Sequence, residues 1–202
     1  WFRDGDPLVK NFDKFKEKYG SDISLITLLS FKDSIFKHDN LKRAYQITED
    51  LWKVPNFVRI DSLTNYSHTT TVDDDITITP FISDPNAQAW SQDYLNQKEK
   101  VAREITSIQN YLISADQKSI AIYASFKHVD GHESQTFKDT VAIVRKQIIQ
   151  KYQADDLKIM LTGPAVVGTT FEEESMKDFL VILPLAFVIL FIILSLITRN
   201  LI

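Results

Sequence analysis

Apolar residues along this chain recur in patterns that each predict an element. Leu8, Phe12, Phe15 and Tyr19 are spaced by four, three and four, the period of one helical stripe. Asp6 is placed to cap that helix, Pro7 to open it and Gly20 to end it, and its apolar face should pack on the domain below. Residues 23–31 (ISLITLLSF) form an unbroken apolar run, short and rich in β-formers, which reads as a strand buried on both faces. Asp39 or Asn40 then caps a helix that places Leu41, Ala44, Tyr45, Thr48, Leu51 and Trp52 on one face. Pro55 stops it, and residues 57–66 follow as a strand. The order returns later: a strand over 119–127, and a helix capped by Ser134 or Thr136 that aligns Phe137, Val141, Val144, Ile148 and Tyr152. A strand over 157–161 closes the unit, broken by Gly163 and Pro164.

Two strand, helix, strand units predict an α+β fold, a ferredoxin-like sheet of the porter type with both helices on one face. An insertion of about residues 66–118 separates them. Within it Ile76, Ile78, Pro80 and Ile82 alternate as an edge strand would, since proline inside a sheet is confined to edges. Asp84, Pro85 and Asn86 open a long helix expected to reach about Ile113. Its stripe of Ala87, Trp90, Tyr94, Val101, Ile105, Ile108 and Leu112 requires a partner surface.

From Phe179 to Ile197 the chain runs nineteen residues without a charge. A helix of that length spans about 28 Å, close to the hydrocarbon core of a bilayer. The expected organisation is an extracytoplasmic domain over 1–177 and a membrane helix over 178–202. Acidic residues before the span and Arg199 after it orient the domain outward by the positive-inside rule. Pro184 within the span points to packing among other membrane helices. A chain beginning at Trp1 and stopping soon after a span is expected to be part of a longer protein.

Charge and composition remove several function classes. With 23 basic and 27 acidic side chains the net charge is −4, and no stretch is densely basic, which excludes a nucleic-acid surface. The chain has no cysteine, so disulfides, thiolate zinc sites and cysteine catalysis are excluded. Asp73, Asp74 and Asp75 lack the spaced ligands and turning glycine of a calcium loop and read as a solvated hairpin loop. His128 and His132 have a zinc-like spacing, but Asp130 and Gly131 between them make a turn. His38 and His68 read as surface residues. Glu172, Glu173 and Glu174 read as caps of the membrane helix. Trp1, Phe2, Phe12, Phe15, Trp52, Phe57, Trp90 and Phe171 either line an apolar cleft for a lipid-like ligand or serve as core. No nucleophile elbow, P-loop or dinucleotide fingerprint is present. Neither an enzyme site nor a cofactor site is expected, and no catalytic, metal or substrate-binding residue is assigned.

Residues 157–200 resemble a junction in exporters of the resistance-nodulation-division (RND) superfamily, especially the hydrophobe exporters of the mycobacterial membrane protein large (MMPL) type. Leu161, Thr162, Gly163 and Pro164 match the turn that ends a strand, Asp178 the acidic residue before the second membrane helix, and Thr198, Arg199 and Asn200 the motif after it. Residues 1–22 are similar to the segment leaving the first membrane helix, and residues 61–65 to the end of that family's second strand. The resemblance implies the first extracytoplasmic domain of a proton-driven exporter in a bacterial inner membrane, forming part of a path for lipids or other hydrophobic molecules. The implied partners are membrane lipid, the remaining membrane helices and the second porter domain of the parent protein. A homo-oligomer is compatible with this reading. The proton relay lies outside the chain. A ligand-sensing domain of a membrane receptor is the alternative, and an accessory factor in protein export is a third reading.

Overall fold

The computed structural model describes residues 6–19, 23–72, 75–85, 90–127 and 133–198. Helix α1 is Pro7–Tyr19 and strand β1 Ser24–Phe31; α2 is His38–Trp52 and β2 Phe57–Asp61. A ribbon of β3 (Ser67–Val72) and β4 (Asp75–Pro80), the latter exposed throughout, precedes α3, Gln92–Glu104. Then come β5 (Ser119–Phe126), α4 (Glu133–Val144), a π-helical stretch Arg145–Ile149 and a last turn α5, Gln150–Tyr152. Strand β6 (Leu157–Thr162) leads into α6, Pro164–Thr198.

The sheet order is β2-β5-β1-β6, with every neighbouring pair antiparallel. β1 and β2 run parallel with β5 inserted between them, which is the split βαβ arrangement expected of a ferredoxin-like sheet. Leu25, Thr27, Leu29 and Phe31 of β1 are buried, as are Ile120, Ile122, Ala124 and Phe126 of β5. Leu41, Ala44, Ile47 and Leu51 of α2 and Val141 and Val144 of α4 close over that face, and the Phe137 ring meets Phe126 edge-on at 4.8 Å.

Only this face is buried. Ile26, Leu28, Ala121 and Tyr123 on the other side are half-buried, so β1 is not covered on both faces. Its continuous apolar run reflects a helix-covered face alternating with an open one that is itself apolar at the centre. β2 also stops earlier than the run over 57–66 implies. Ser62 caps a 3₁₀ turn, Leu63–Asn65, accepting from the Thr64 N–H, while the Asn65 side chain accepts from the Ser62 N–H. This capping box satisfies backbone groups that a longer strand would have given to the sheet.

The second half of the insertion belongs to the core. Phe81, Ile82, Trp90, Leu95, Ala102, Ile108, Leu112 and Ile113 are buried. The expected long helix is a short one: Ser91 caps α3 by accepting from the Tyr94 N–H at 3.2 Å, and Ile105 has left helical geometry. Apolar spacing of three and four continues past Glu104 because residues 105–113 form successive turns with bonds such as Ile108 N–H to Ile105 O and Leu112 N–H to Ile108 O. Turns conserve the period without conserving the rod.

Three further expectations change. Leu8, Phe12 and Phe15 of α1 are largely exposed where a packed stripe was expected. α2 starts at His38 rather than at Asp39 or Asn40, with no side-chain cap; Asn40 instead donates to the Ser34 carbonyl at 2.9 Å. α4 starts at Glu133, so Ser134 lies inside its first turn.

Candidate functional site

β6 turns directly into α6 through Gly163 and Pro164. Pro164 occupies the first helical position, where its missing N–H costs nothing, and the helix then runs 35 residues without interruption. It is long and apolar enough to cross a membrane, and its apolar stretch is not buried in the protein. Sheet and apolar helix are thus joined directly, with Gly163 alone between the end of β6 and the start of α6.

Because α6 begins at Pro164, Glu172, Glu173 and Glu174 lie beyond its first turn and do not cap it, a correction to the sequence reading. They brace the rod. Arg145 Nη1 donates to both carboxylate oxygens of Glu173 at 2.9 and 3.0 Å, and Nη2 donates to Thr170 Oγ1. Lys138 Nζ lies 2.7 Å from Glu172 Oε2, to which Ser134 also donates, while Glu174 pairs with Lys177. The hydrogen bonds from Lys138 and Ser134 hold the Glu172 carboxyl below its usual range. Arg145 opens the π-helical stretch of the α4 to α5 segment. Each half-exposed pair is modest alone; those of Lys138 and Arg145 link α6 to α4 and to the π-helical stretch after it.

A second feature lies on the open face of the sheet. A cavity of about 530 Å³ sits among Arg59 and Asp61 of β2, Tyr66, Ser67, Ser107 and Tyr111. Tyr111 stacks on Tyr123 with ring centroids 4.5 Å apart and planes 12° from parallel. The Tyr123 hydroxyl donates to the Tyr111 carbonyl at 3.2 Å, and burial pushes its phenol above the usual tyrosine range, so it stays a donor. Asn110 adopts a φ of 59°, a left-handed conformation asparagine tolerates, and this turns Tyr111 outward while Leu112 and Ile113 anchor in the core. The sequence reading missed this cavity, since its residues lie far apart in the chain and none forms a recognisable motif.

Among the described residues the aromatics picked from the sequence do not converge. Trp90 is buried against Tyr45, Phe57 packs on Phe126 at 5.0 Å, and Trp52 and Phe171 are exposed at distant points. Trp1, Phe2, Asp73, Asp74, His128 and His132 lie outside the described residues. Asp75 opens β4, His38 bonds to its neighbour Asp39, and His68 meets the Phe81 ring edge-on. Among the described residues no group of three or more potential ligands is placed to hold a metal ion.

A sheet of this order fused rigidly to a membrane-length helix narrows the field, and comparison decides it: the profile of the MMPL family matches residues 41–202. The chain belongs to the MMPL family. A comparison with curated proteins returned no match. MMPL proteins are RND-type transporters of hydrophobic substances, and theirs is not an enzyme family. The match takes in the insertion, which carried none of the sequence resemblance, and begins after the first forty residues.

Proposed function

We propose that residues 1–177 form the first extracytoplasmic, porter-like domain of a proton-driven MMPL exporter in a bacterial inner membrane, lining part of the path for lipids or other apolar molecules. The observation that carries this reading is the continuity of α6, braced by Lys138 of α4 and by Arg145 of the π-helical stretch. A helix that tilts or rotates in the membrane moves a rigidly attached sheet, whereas a loop would absorb the motion. The energy source is assigned to carboxylates in other membrane helices, where burial tunes protonation. Ile26, Leu28, Tyr123 and Met160 on the open sheet face are read as the surface facing the second porter domain of the parent.

Two measurements on the intact transporter test this. A cysteine at Thr77, on the exposed β4, in an intact transporter otherwise cleared of cysteine should react from outside the cell with a membrane-impermeant maleimide. Arg145→Glu should lower export without changing membrane insertion, and adding Glu173→Arg should restore it. Labelling only after the membrane is opened, or export indifferent to Arg145→Glu, would overturn the reading.

A further inference from the structure

We propose that the outer edge of β4 is an interface between two copies of this chain, paired antiparallel about a two-fold axis at Thr77. Among the described residues β4 bonds to β3 alone, so its other edge carries backbone groups that no strand meets. The Phe81 N–H donates to the Tyr66 carbonyl at 2.8 Å, which makes these two a hydrogen-bonded pair and sets the phase of the ladder. With Ser67 opposite Pro80 and Thr69 opposite Ile78, the backbone groups of Asp75, Thr77 and Thr79 turn toward β3, and those of Ile76, Ile78 and Pro80 turn outward. Pro80 is thus an outward position, where its missing N–H costs the ribbon nothing.

The edge is complementary to itself. A charge and a proline, the residues that usually blunt an exposed edge, stand only at its ends, Asp75 and Pro80. Between them Ile76 and Ile78 are 71% and 66% exposed on one face. Setting Thr77 against Thr77 of a second copy places Ile76 opposite the second Ile78 and Ile78 opposite the second Ile76. The outward N–H and C=O groups of these residues then satisfy one another, and the isoleucines of both copies meet on one face. A shift by one residue would oppose outward groups to groups already bonded to β3, and a shift by two would leave an isoleucine facing Pro80 or the acidic tip. Charge supports the same register. Asp75 falls opposite Thr79 of the second copy and diagonal to its Phe81, and the Lys98 ammonium lies 4.9 Å from the centroid of that ring. Each acidic tip therefore reaches the cationic base of the other ribbon. A two-stranded ribbon alone in water is marginal, and this pairing makes it four-stranded.

Cysteine cross-linking in the intact transporter, otherwise cleared of cysteine and kept in its native membrane, tests the pairing. In a non-hydrogen-bonded antiparallel pair the Cα atoms lie about 4.5 Å apart, within the span of a disulfide. On mild oxidation Thr77→Cys should give a product of twice the monomer mass, whereas Thr79→Cys, about 14 Å from its counterpart, should stay monomeric. Adding Ile78→Pro removes an outward N–H and leaves the bonds to β3 intact, so the Thr77→Cys dimer should fall about tenfold with an unchanged circular dichroism melt. No cross-link at Thr77, equal cross-linking at Thr77 and Thr79, a product of another mass, or a dimer indifferent to Ile78→Pro in the folded protein would overturn the proposal. The pairing does not rest on the export reading. A Thr77→Cys dimer in a protein whose export ignores Arg145→Glu would sink that reading and keep the interface.

Discussion

Two glycines five residues apart in the joint between sheet and membrane rod should respond to alanine with opposite sign. Gly163 holds a φ of 101°, and a methyl group there would sit 2.6 Å from the Ser24 carbonyl oxygen and 3.4 Å from the Ile26 nitrogen, both backbone atoms of β1. The left-handed conformation costs a residue with a side chain about 1–2 kcal/mol. Crowding against a carbonyl held in the sheet adds about 1–3 kcal/mol, because β1 is central and cannot withdraw. Gly163→Ala should therefore destabilise the sheet domain by about 2–5 kcal/mol. Gly168 lies inside α6, where a methyl group would meet no atom within 4 Å, so alanine there gains helix propensity of about 0.5–1 kcal/mol. Urea unfolding of the full chain in micelles, followed by tryptophan fluorescence, to which buried Trp90 contributes, reads the domain with the first turns of α6 while the apolar stretch from Phe179 stays in detergent. With a slope near 2 kcal/mol per molar urea, the midpoint should fall by about 1–2.5 M for Gly163→Ala and rise by about 0.3–0.5 M for Gly168→Ala. A Gly163→Ala midpoint within about 0.3 M of the parent, or equal shifts for both variants, would refute the reasoning.

Asp50 ties α2 to α5: it accepts from Lys151 Nζ at 2.6 Å, Tyr152 OH at 2.7 Å and Lys53 Nζ at 2.7 Å. Burial pushes its carboxyl up, but the hydrogen bonds from Lys151, Lys53 and Tyr152 outweigh that and hold it well below the usual range. A carboxyl depressed in the folded state stabilises above its unfolded pKa of about 3.9 and loses that contribution as the pH falls further. Asp50→Asn should cost about 1.5–3 kcal/mol at pH 7, with the gap to the parent closing below about pH 4; a gap independent of pH in denaturant titrations would contradict this. Ile108 is fully buried although it belongs to the insertion, so Ile108→Ala should cost about 2–4 kcal/mol, whereas replacing 69–78 by a two-residue turn should shift stability by less than about 1 kcal/mol. Equal losses from the two changes, measured by thermal melts, would show the ribbon to be part of the core.

The apolar pattern by itself determined the two strand, helix, strand units and the rod at the carboxyl end, because period and run length are local properties. Residues such as Val141, Val144 and Ile148 declare a helix face whatever lies beneath them, and a charge-free run from Phe179 to Ile197 declares a span. It also excluded thiol chemistry outright, since a missing residue type needs no fold to be read. Boundaries were less legible. A strand over 57–66 and a helix to Ile113 both ended early, because Ser62 and Ile105 obey capping and turn geometry that hydrophobic spacing does not record.

Tertiary structure alone decided which faces meet. That Glu172 and Glu173 brace α6 rather than cap it depends on where the helix begins, and that was set by Gly163 and Pro164 at the end of β6. The cavity at Tyr111 needs β2, the 3₁₀ corner and the 105–113 turns brought together from separate parts of the chain, and its aromatic platform exists only because Tyr123 of β5 stacks against it. Stacking and charge pairing act over a few ångströms of space, so no spacing along the chain can announce them.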